Sequence, residues 1–432
     1  MQERIAIIGG LRTPMGKAGG ALKNLLADDL AARVVKEIVV QSGIDANNID
    51  EVIIGNVANP GHAANIARVI ALKAGLPQAI PAYTVHRNCA SGMESITTAA
   101  NKILAGEAEV ILVGGTESMS NIPLLFNKKM TNLFANLFKA KNISQKLAAI
   151  ASFRPSFLKP IVGVMQGLTD PVADMIMGCT AEVLSKKFKI TRQQQDEFAA
   201  LSHNRAEQAA ASGIFKEEIL PIYNNDPQNA KIIEDDEGIR KGQTVEALSK
   251  LKPYFEKYTG TVTVGNSSQI TDGAAAMIVM KEATAKKLGL KSKISGYLKA
   301  YAYAGLEPSE MGLGPVFATS KIFDKTGLSL KDIDLIELNE AFAAQVIACE
   351  KAFASKDFAK DYLGKDKPIG EIDREILNVS GGAIALGHPV GMTGSRLTIH
   401  LLKELKRRGK KRGLATLCIG GGQGGALILE TE

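Results

Sequence analysis

Cys89, His388 and Cys418 stand far apart in the chain, yet each sits in a glycine-rich turn. Cys89 lies in His86-Arg87-Asn88-Cys89-Ala90-Ser91-Gly92. His388 lies in Gly381-Gly382-Ala383-Ile384-Ala385-Leu386-Gly387-His388-Pro389, and Cys418 in Cys418-Ile419-Gly420-Gly421-Gly422-Gln423-Gly424-Gly425. A thiol nucleophile, an imidazole base and a second thiol able to carry a proton form a complete set for carbon–carbon bond chemistry on thioesters.

Each residue has a chemical reading and a plainer one. Cys89 precedes Ala90-Ser91-Gly92-Met93-Glu94, which reads as a helix start. Aligned N–H groups there favour a thiolate and can receive a developing oxyanion; the alternative is a buried structural cysteine. His388, between Gly387 and Pro389, has a constrained backbone and suits a general base; it could equally cap the next helix. Cys418 ends a strand pattern before a glycine run that bares backbone N–H groups. Gly420, Gly422 and Gly425 match a dinucleotide fingerprint in spacing, but a strand pattern follows where that fingerprint needs a helix. Asn339, in Asn339-Glu340-Ala341-Phe342 at a strand-to-helix junction, could hold a water or cap the helix. His62, His86, His203 and His400 read as structural or surface residues, and Cys179 and Cys349 as core.

The elements that must position these turns alternate in type. Apolar strand runs fall at 5–8, 52–54, 110–113, 276–280, 335–338, 415–419 and 426–429. Helical runs fall at 28–41, 66–74, 91–105, 340–352 and 394–408. Such alternation argues for an α/β fold with buried strands. An internal echo accompanies it. Asp50-Glu51-Val52-Ile53-Ile54-Gly55-Asn56 resembles Asp332-Ile333-Asp334-Leu335-Ile336-Glu337-Leu338-Asn339. Each is followed later by a turn with a reactive residue, a helix and a strand. Two related halves would bring Cys89 and His388 to matching places beside a pseudo-two-fold axis. The expected division is an N-terminal half over 1–120, completed by about 262–285, an inserted domain over 121–261, and a C-terminal half over 286–432.

With 432 residues, 45% of them hydrophobic, the chain can bury a large core and form more than one domain. Four widely spaced cysteines point to a reducing compartment rather than a disulfide framework. No metal-ligand spacing links the five histidines. The net charge of +7 fits a phosphate-bearing ligand, but no basic stripe interleaved with aromatics suggests nucleic acid. No secretory signal or membrane-spanning run is read, so a cytoplasmic protein is expected. The insertion opens unusually. From Ser118 to Thr169 there is no Asp or Glu, but there are six Lys and one Arg among many Leu and Phe residues. That pattern suits either an anionic membrane surface or partner, or a flap with solvated lysines.

Taken together the motifs resemble the thiolase family over nearly the whole chain. The resemblance rests on Arg12-Thr13-Pro14-Met15-Gly16, the Cys89 segment, Asn339-Glu340-Ala341-Phe342, the 381–389 segment and Cys418-Ile419-Gly420-Gly421-Gly422, in the family's order. It implies a five-layered αβαβα core of two similar halves with an inserted helical loop domain. It implies acyl transfer to CoA, a co-substrate rather than a resident cofactor, by a homodimer or tetramer. Cys89 would be the nucleophile, His388 its base and Cys418 the proton shuttle. One oxyanion would meet His388 and a water held by Asn339; the other would meet the N–H groups of Cys89 and Gly420. Ser268 resembles a pantetheine contact, Met177 and Phe342 pocket residues, and Arg240 a residue near the adenine. No metal is implied.

The long insertion, Lys128-Lys129-Met130 and Gly260-Thr261-Val262-Thr263 resemble the branch serving as β subunit of the fatty-acid-oxidation trifunctional complex. That branch would imply long-chain substrates, a hydratase/dehydrogenase α-subunit partner and membrane contact. It commonly carries His where Asn339 stands. A biosynthetic acetoacetyl-CoA thiolase is the near alternative. A non-catalytic acyl-CoA carrier on the same fold is the distant one.

Overall fold

The protein is described here from a computed structural model covering residues 3–432. Nine strands build its main sheet: β1 (Ile5–Arg12), β2 (Glu51–Gly55), β3 (Ala82–Val85), β4 (Val110–Ser118), β5 (Thr271–Lys281), β6 (Ile294–Gly305), β7 (Leu335–Leu338), β8 (Arg412–Ile419) and β9 (Gln423–Glu430). They lie in the order β7-β8-β9-β6-β1-β5-β4-β2-β3, and the two-residue strand Gly16–Lys17 pairs with β5. From the middle outward, the order β1-β5-β4-β2 is repeated as β6-β9-β8-β7. Both runs are antiparallel inside and parallel at the outer pair. Even the outer neighbour of β2 has a counterpart, because Ile336 in β7 bridges Leu377 in parallel.

Strand faces alternate, and that sorts the helices into layers. Ala6 and Ile8 turn to one core with α1 (Ala27–Ser42) and α2 (Ile66–Lys73). Ile5 and Ile7 turn to a second core, shared with Ala415, Leu417 and Ile419 of β8. Between them lie α3 (Ser91–Ala105) and a later helix, Thr393–Arg407. Leu414 and Ile428 face a third core against helices Gly314–Thr326 and Ala343–Ala354. The result is αβαβα, with two helices sandwiched between the half-sheets.

The segment between β4 and β5 carries α4 (Lys128–Lys139), α5 (Ile143–Ala151), α6 (Met177–Lys187) and α7 (Arg192–Ala211). The last begins at a reciprocal cap, Thr191 with Gln194. The helices over 314–326, 343–354 and 393–407 are α8, α9 and α10. Among the described residues no helix is long and apolar enough to cross a membrane.

Three local expectations change. The helix expected over 340–352 starts at Ala343, because Phe342 is extended and the Ala343 N–H is given to Asn266. Asn339 therefore caps nothing. Strand β6 is long but was not among the expected runs; its alternating Ala and Tyr residues carry a weak apolar signal. Cys179 is half-buried rather than core, whereas Cys349 is fully buried.

Candidate active site

The two central helices start against each other. Ser395 Oγ in the first turn of α10 donates to the Gly92 carbonyl in α3 at 3.0 Å. Glycine is required at this approach, since a Cβ on Gly92 would lie 2.7 Å from that hydroxyl. Cys89 stands just before α3 and His388 just before α10, so the pseudo-symmetric pairing delivers both reactive turns to one junction.

Cys89 is half-buried, and the backbone N–H groups of Gly420 and of Cys89 itself favour its thiolate. Burial pushes its thiol up, and these backbone donors only partly offset that rise. At rest Cys89 is a thiol, and none of the groups that favour its thiolate belongs to the helix starting at Ser91. Cys418 is close enough for the Cys89 thiolate to raise its own pKa, which burial already lifts well above the usual range. It packs with Ala341, Phe342 and Met311, and with the half-buried Met177 and Phe255.

His388 is buried, and burial with the nearby Arg396 charge lowers it to about 4, leaving a neutral imidazole. Its Nδ1 lies 2.6 Å from Thr393 Oγ1. That hydroxyl gives its single proton to the Pro389 carbonyl at 3.1 Å, so its lone pair accepts Nδ1–H. The free lone pair of His388 is thereby assigned to Nε2. Backbone supports hold the turn. The His388 N–H reaches the Gln269 carbonyl, and Gln269 Nε2 donates to Gly238 and Ile384 carbonyls. Gly387 has φ of 109°, and a Cβ there would overlap Thr271.

The Asn339 N–H pairs with the Thr416 carbonyl, which places it beside the end of β8. Its side chain is fully buried, and neither amide atom finds a protein partner. Met177 begins α6 with its sulfur 3.5 Å from where a Gly420 Cβ would stand. Ser268 and Phe342 share one segment contact, since Ser267 bridges Phe342 and the Ser268 N–H reaches Ala341. Arg240 lies apart from this group, its N–H donated to His203 Nδ1 at 3.2 Å.

Several supporting residues escaped the sequence reading. Glu117, buried and pushed up to about 7 by desolvation, accepts from the N–H groups of Val57, Ala58 and Gly391. It thus ties the His388 loop to the end of β4. Glu340 accepts from Ser202, Asn378 and the Ile384 N–H, and so braces the same loop from the other side. Phe255 meets Phe342 edge-on at 6.0 Å. A lone acid closing an apolar strand was the available signal for Glu117; Phe255 offered none.

This fold and geometry define an α/β enzyme built for acyl transfer. The chain belongs to the thiolase family: the thiolase N-terminal domain matches residues 5–283 and the thiolase C-terminal domain residues 292–431. It is 41% identical over 431 residues to a 3-ketoacyl-CoA thiolase of Pseudoalteromonas translucida, covering 99% of this chain and 97% of that protein. A Bacillus anthracis acetyl-CoA acetyltransferase structure is similar with TM-score 0.87 and 38% identity, covering 99% of this chain and 98% of that one. Human mitochondrial 3-ketoacyl-CoA thiolase in complex with CoA is similar with TM-score 0.85 and 37% identity, covering 100% and 98%.

Proposed function

We propose that this chain cleaves 3-oxoacyl-CoA with CoA, giving acetyl-CoA and an acyl-CoA two carbons shorter, as a step of fatty-acid β-oxidation. The observation that carries this reading is the meeting of the Cys89 and Cys418 turns, tied where Asn88 Nδ2 donates to the Gly420 carbonyl at 2.7 Å. His388 Nε2 takes the Cys89 proton, and the thiolate adds to the 3-keto carbon. The bond between C2 and C3 breaks, and Cys418 protonates C2 to release acetyl-CoA. Incoming CoA gives its thiol proton to Cys418 and attacks the acyl thioester. The shortened acyl-CoA leaves, and His388 returns the proton to Cys89.

Charge develops on two oxygens. One is met by His388 and a water held by Asn339, whose unpaired buried amide suits that task. The other is met by the N–H groups of Cys89 and Gly420. Ser268, Met177 and Phe342 flank the pantetheine arm and acyl group, and Arg240 the nucleotide end. The repeated strand order supports the division into an N-terminal half (1–120 with 262–285), an insertion (121–261) and a C-terminal half (286–432).

A panel of 3-oxoacyl-CoA substrates tests the reading. Thiolysis of long-chain 3-oxoacyl-CoA is expected. Turnover of acetoacetyl-CoA alone would favour the second reading, biosynthetic condensation, which the likeness to the acetyl-CoA acetyltransferase supports. No thiolysis of any chain length would overturn both. The Thr393 contact makes a separate prediction. Thr393→Val keeps the side-chain shape but removes the acceptor of Nδ1–H. We expect kcat to fall about ten- to a hundredfold with an altered pH profile, and an unchanged profile would refute the tautomer assignment.

The insertion supports contact with an anionic lipid surface. Phe138 is 93% exposed and Ile143 76%, with Leu124, Phe126, Leu147 and Ile150 also exposed, all within the stretch without acids. Sedimentation with vesicles of phosphatidylcholine and phosphatidylserine should pull down the protein, and Phe138→Glu with Ile143→Glu should release it. Equal binding by the double variant would count against this surface. A cytoplasmic setting fits the four free cysteines. A homo-oligomer and a hydratase/dehydrogenase α-subunit partner complete the proposal; the half-exposed edge strand β3 is one surface available for pairing.

A further inference from the structure

We propose that Asn88 is a positioning residue that holds the two backbone donors around Cys89 in one oxyanion site; this rests on the acyl-transfer reading above. Asn88 adopts φ of 43°, a left-handed conformation that asparagine tolerates better than most residues. Its carbonyl accepts from both the N–H and the hydroxyl of Ser91, at 2.9 and 2.7 Å. The same hydroxyl accepts from the Arg87 N–H. The loop before Cys89 is therefore locked at its base in α3.

From that fixed backbone the side chain reaches across to the other half. Asn88 Nδ2 donates to the Gly420 carbonyl at 2.7 Å. Gly420 opens a run of three glycines, and Gly421 and Gly422 have φ of 87° and 76°. Such a run rotates freely unless something holds it. The carbonyl and the N–H of Gly420 flank one Cα, so fixing the carbonyl limits where that N–H points. The Gly420 backbone is among the groups that favour the Cys89 thiolate. Asn88 thus connects the donor that precedes α3 with the donor that follows β8.

A turn filler alone would be replaceable by glycine, which separates the two roles. Asn88→Gly keeps the left-handed backbone and removes the tether. Asn88→Asp keeps shape and conformation but cannot donate to a carbonyl. Both variants should lose about ten- to a hundredfold in kcat for thiolysis. The KM for CoA should stay within about twofold. Both should also shift the pH inflection of Cys89 alkylation by iodoacetamide upward, because the Gly420 N–H stabilises the thiolate as well. Thermal melting checks that each variant is folded. If Asn88→Gly is unfolded, Asn88→Asp decides.

Wild-type kcat and an unmoved inflection in a folded variant would overturn the inference. The alkylation arm needs no acyl substrate, so it reads the tether even if the wild-type protein thiolyses nothing. In that event a moved inflection upholds the tether and the reaction assignment alone fails.

Discussion

Cys89→Ser is expected to lower thiolysis by on the order of 10⁴-fold or more while leaving the fold intact. The size follows from the proton balance at the site. Burial holds His388 down to about 4, so it is a weak base at rest. In the mechanism proposed, it acts on a thiol because sulfur is the most acidic and polarisable nucleophile available and because the Gly420 and Cys89 N–H groups favour the anion. A hydroxyl is several pKa units harder to deprotonate and also a poorer leaving group in the second half of the reaction. Mass spectrometry after mixing with a 3-oxoacyl-CoA should show an acyl adduct on the wild-type chain and none on the variant. Full thiolysis by Cys89→Ser would end the mechanism proposed for this chain.

The second large effect concerns stability. Arg12 is completely buried. Its guanidinium takes Asp236 through both Nη atoms, at 2.7 and 2.8 Å, and Glu218 through Nε at 2.7 Å. Glu218 in turn accepts from His400 Nδ1 at 3.0 Å, and Phe215 lies beside both cations. This cluster pins the segment between β4 and β5 to β1, where the Arg12 N–H donates to the Glu218 carbonyl and the Arg12 carbonyl accepts from the Leu220 N–H. Arg12→Met leaves two carboxylates buried without their cation, a loss of about 3–5 kcal/mol. The denaturant midpoint at pH 7 should fall accordingly.

The pH dependence has a definite sign. His400 and Arg12 hold Glu218 well below its ordinary 4.5, so its contribution is present above about 4.5 and disappears as the pH falls through the folded value. In Arg12→Met that depression is weakened, so the gap between variant and wild type should narrow toward acid. A gap that widens between pH 7 and pH 4.5 would show that the cluster is not held by charge.

Much of this architecture was legible because strands and helices differ in period. The helix over 91–105 and the strand over 335–338 match the residues expected. The glycine-rich turns around Cys89, His388 and Cys418 were legible as turns, and the structure places them at the ends of strands and helices in the core. What escaped reading depends on contacts between distant parts of the chain. Glu117 and Gly391 are 274 residues apart, and no local pattern links them. No local pattern marks Thr393, whose hydroxyl donates to Pro389 and lies against His388 Nδ1. The helix at 340 was set too early because Glu340 favours helices in isolation, whereas here its carboxylate is engaged by Ser202, Asn378 and Ile384. The thiol at Cys89 shows the same limit: helix position can be read locally, but the depth of burial cannot.

The central seam has a consequence for motion. β1 and β6 pair from Ile5–Leu298 through Ile8–Ile294, so the two halves share main-chain hydrogen bonds as well as the apolar core around Ile5 and Ile7. Rocking one half against the other would tear that ladder, and the reactive turns at the junction are correspondingly spared from hinge distortion. The looser part of the molecule is the segment carrying α4 and α5, which bury little beyond Leu133 and Ala149. Amide exchange should therefore divide the molecule sharply, with a slow seam and a fast rim.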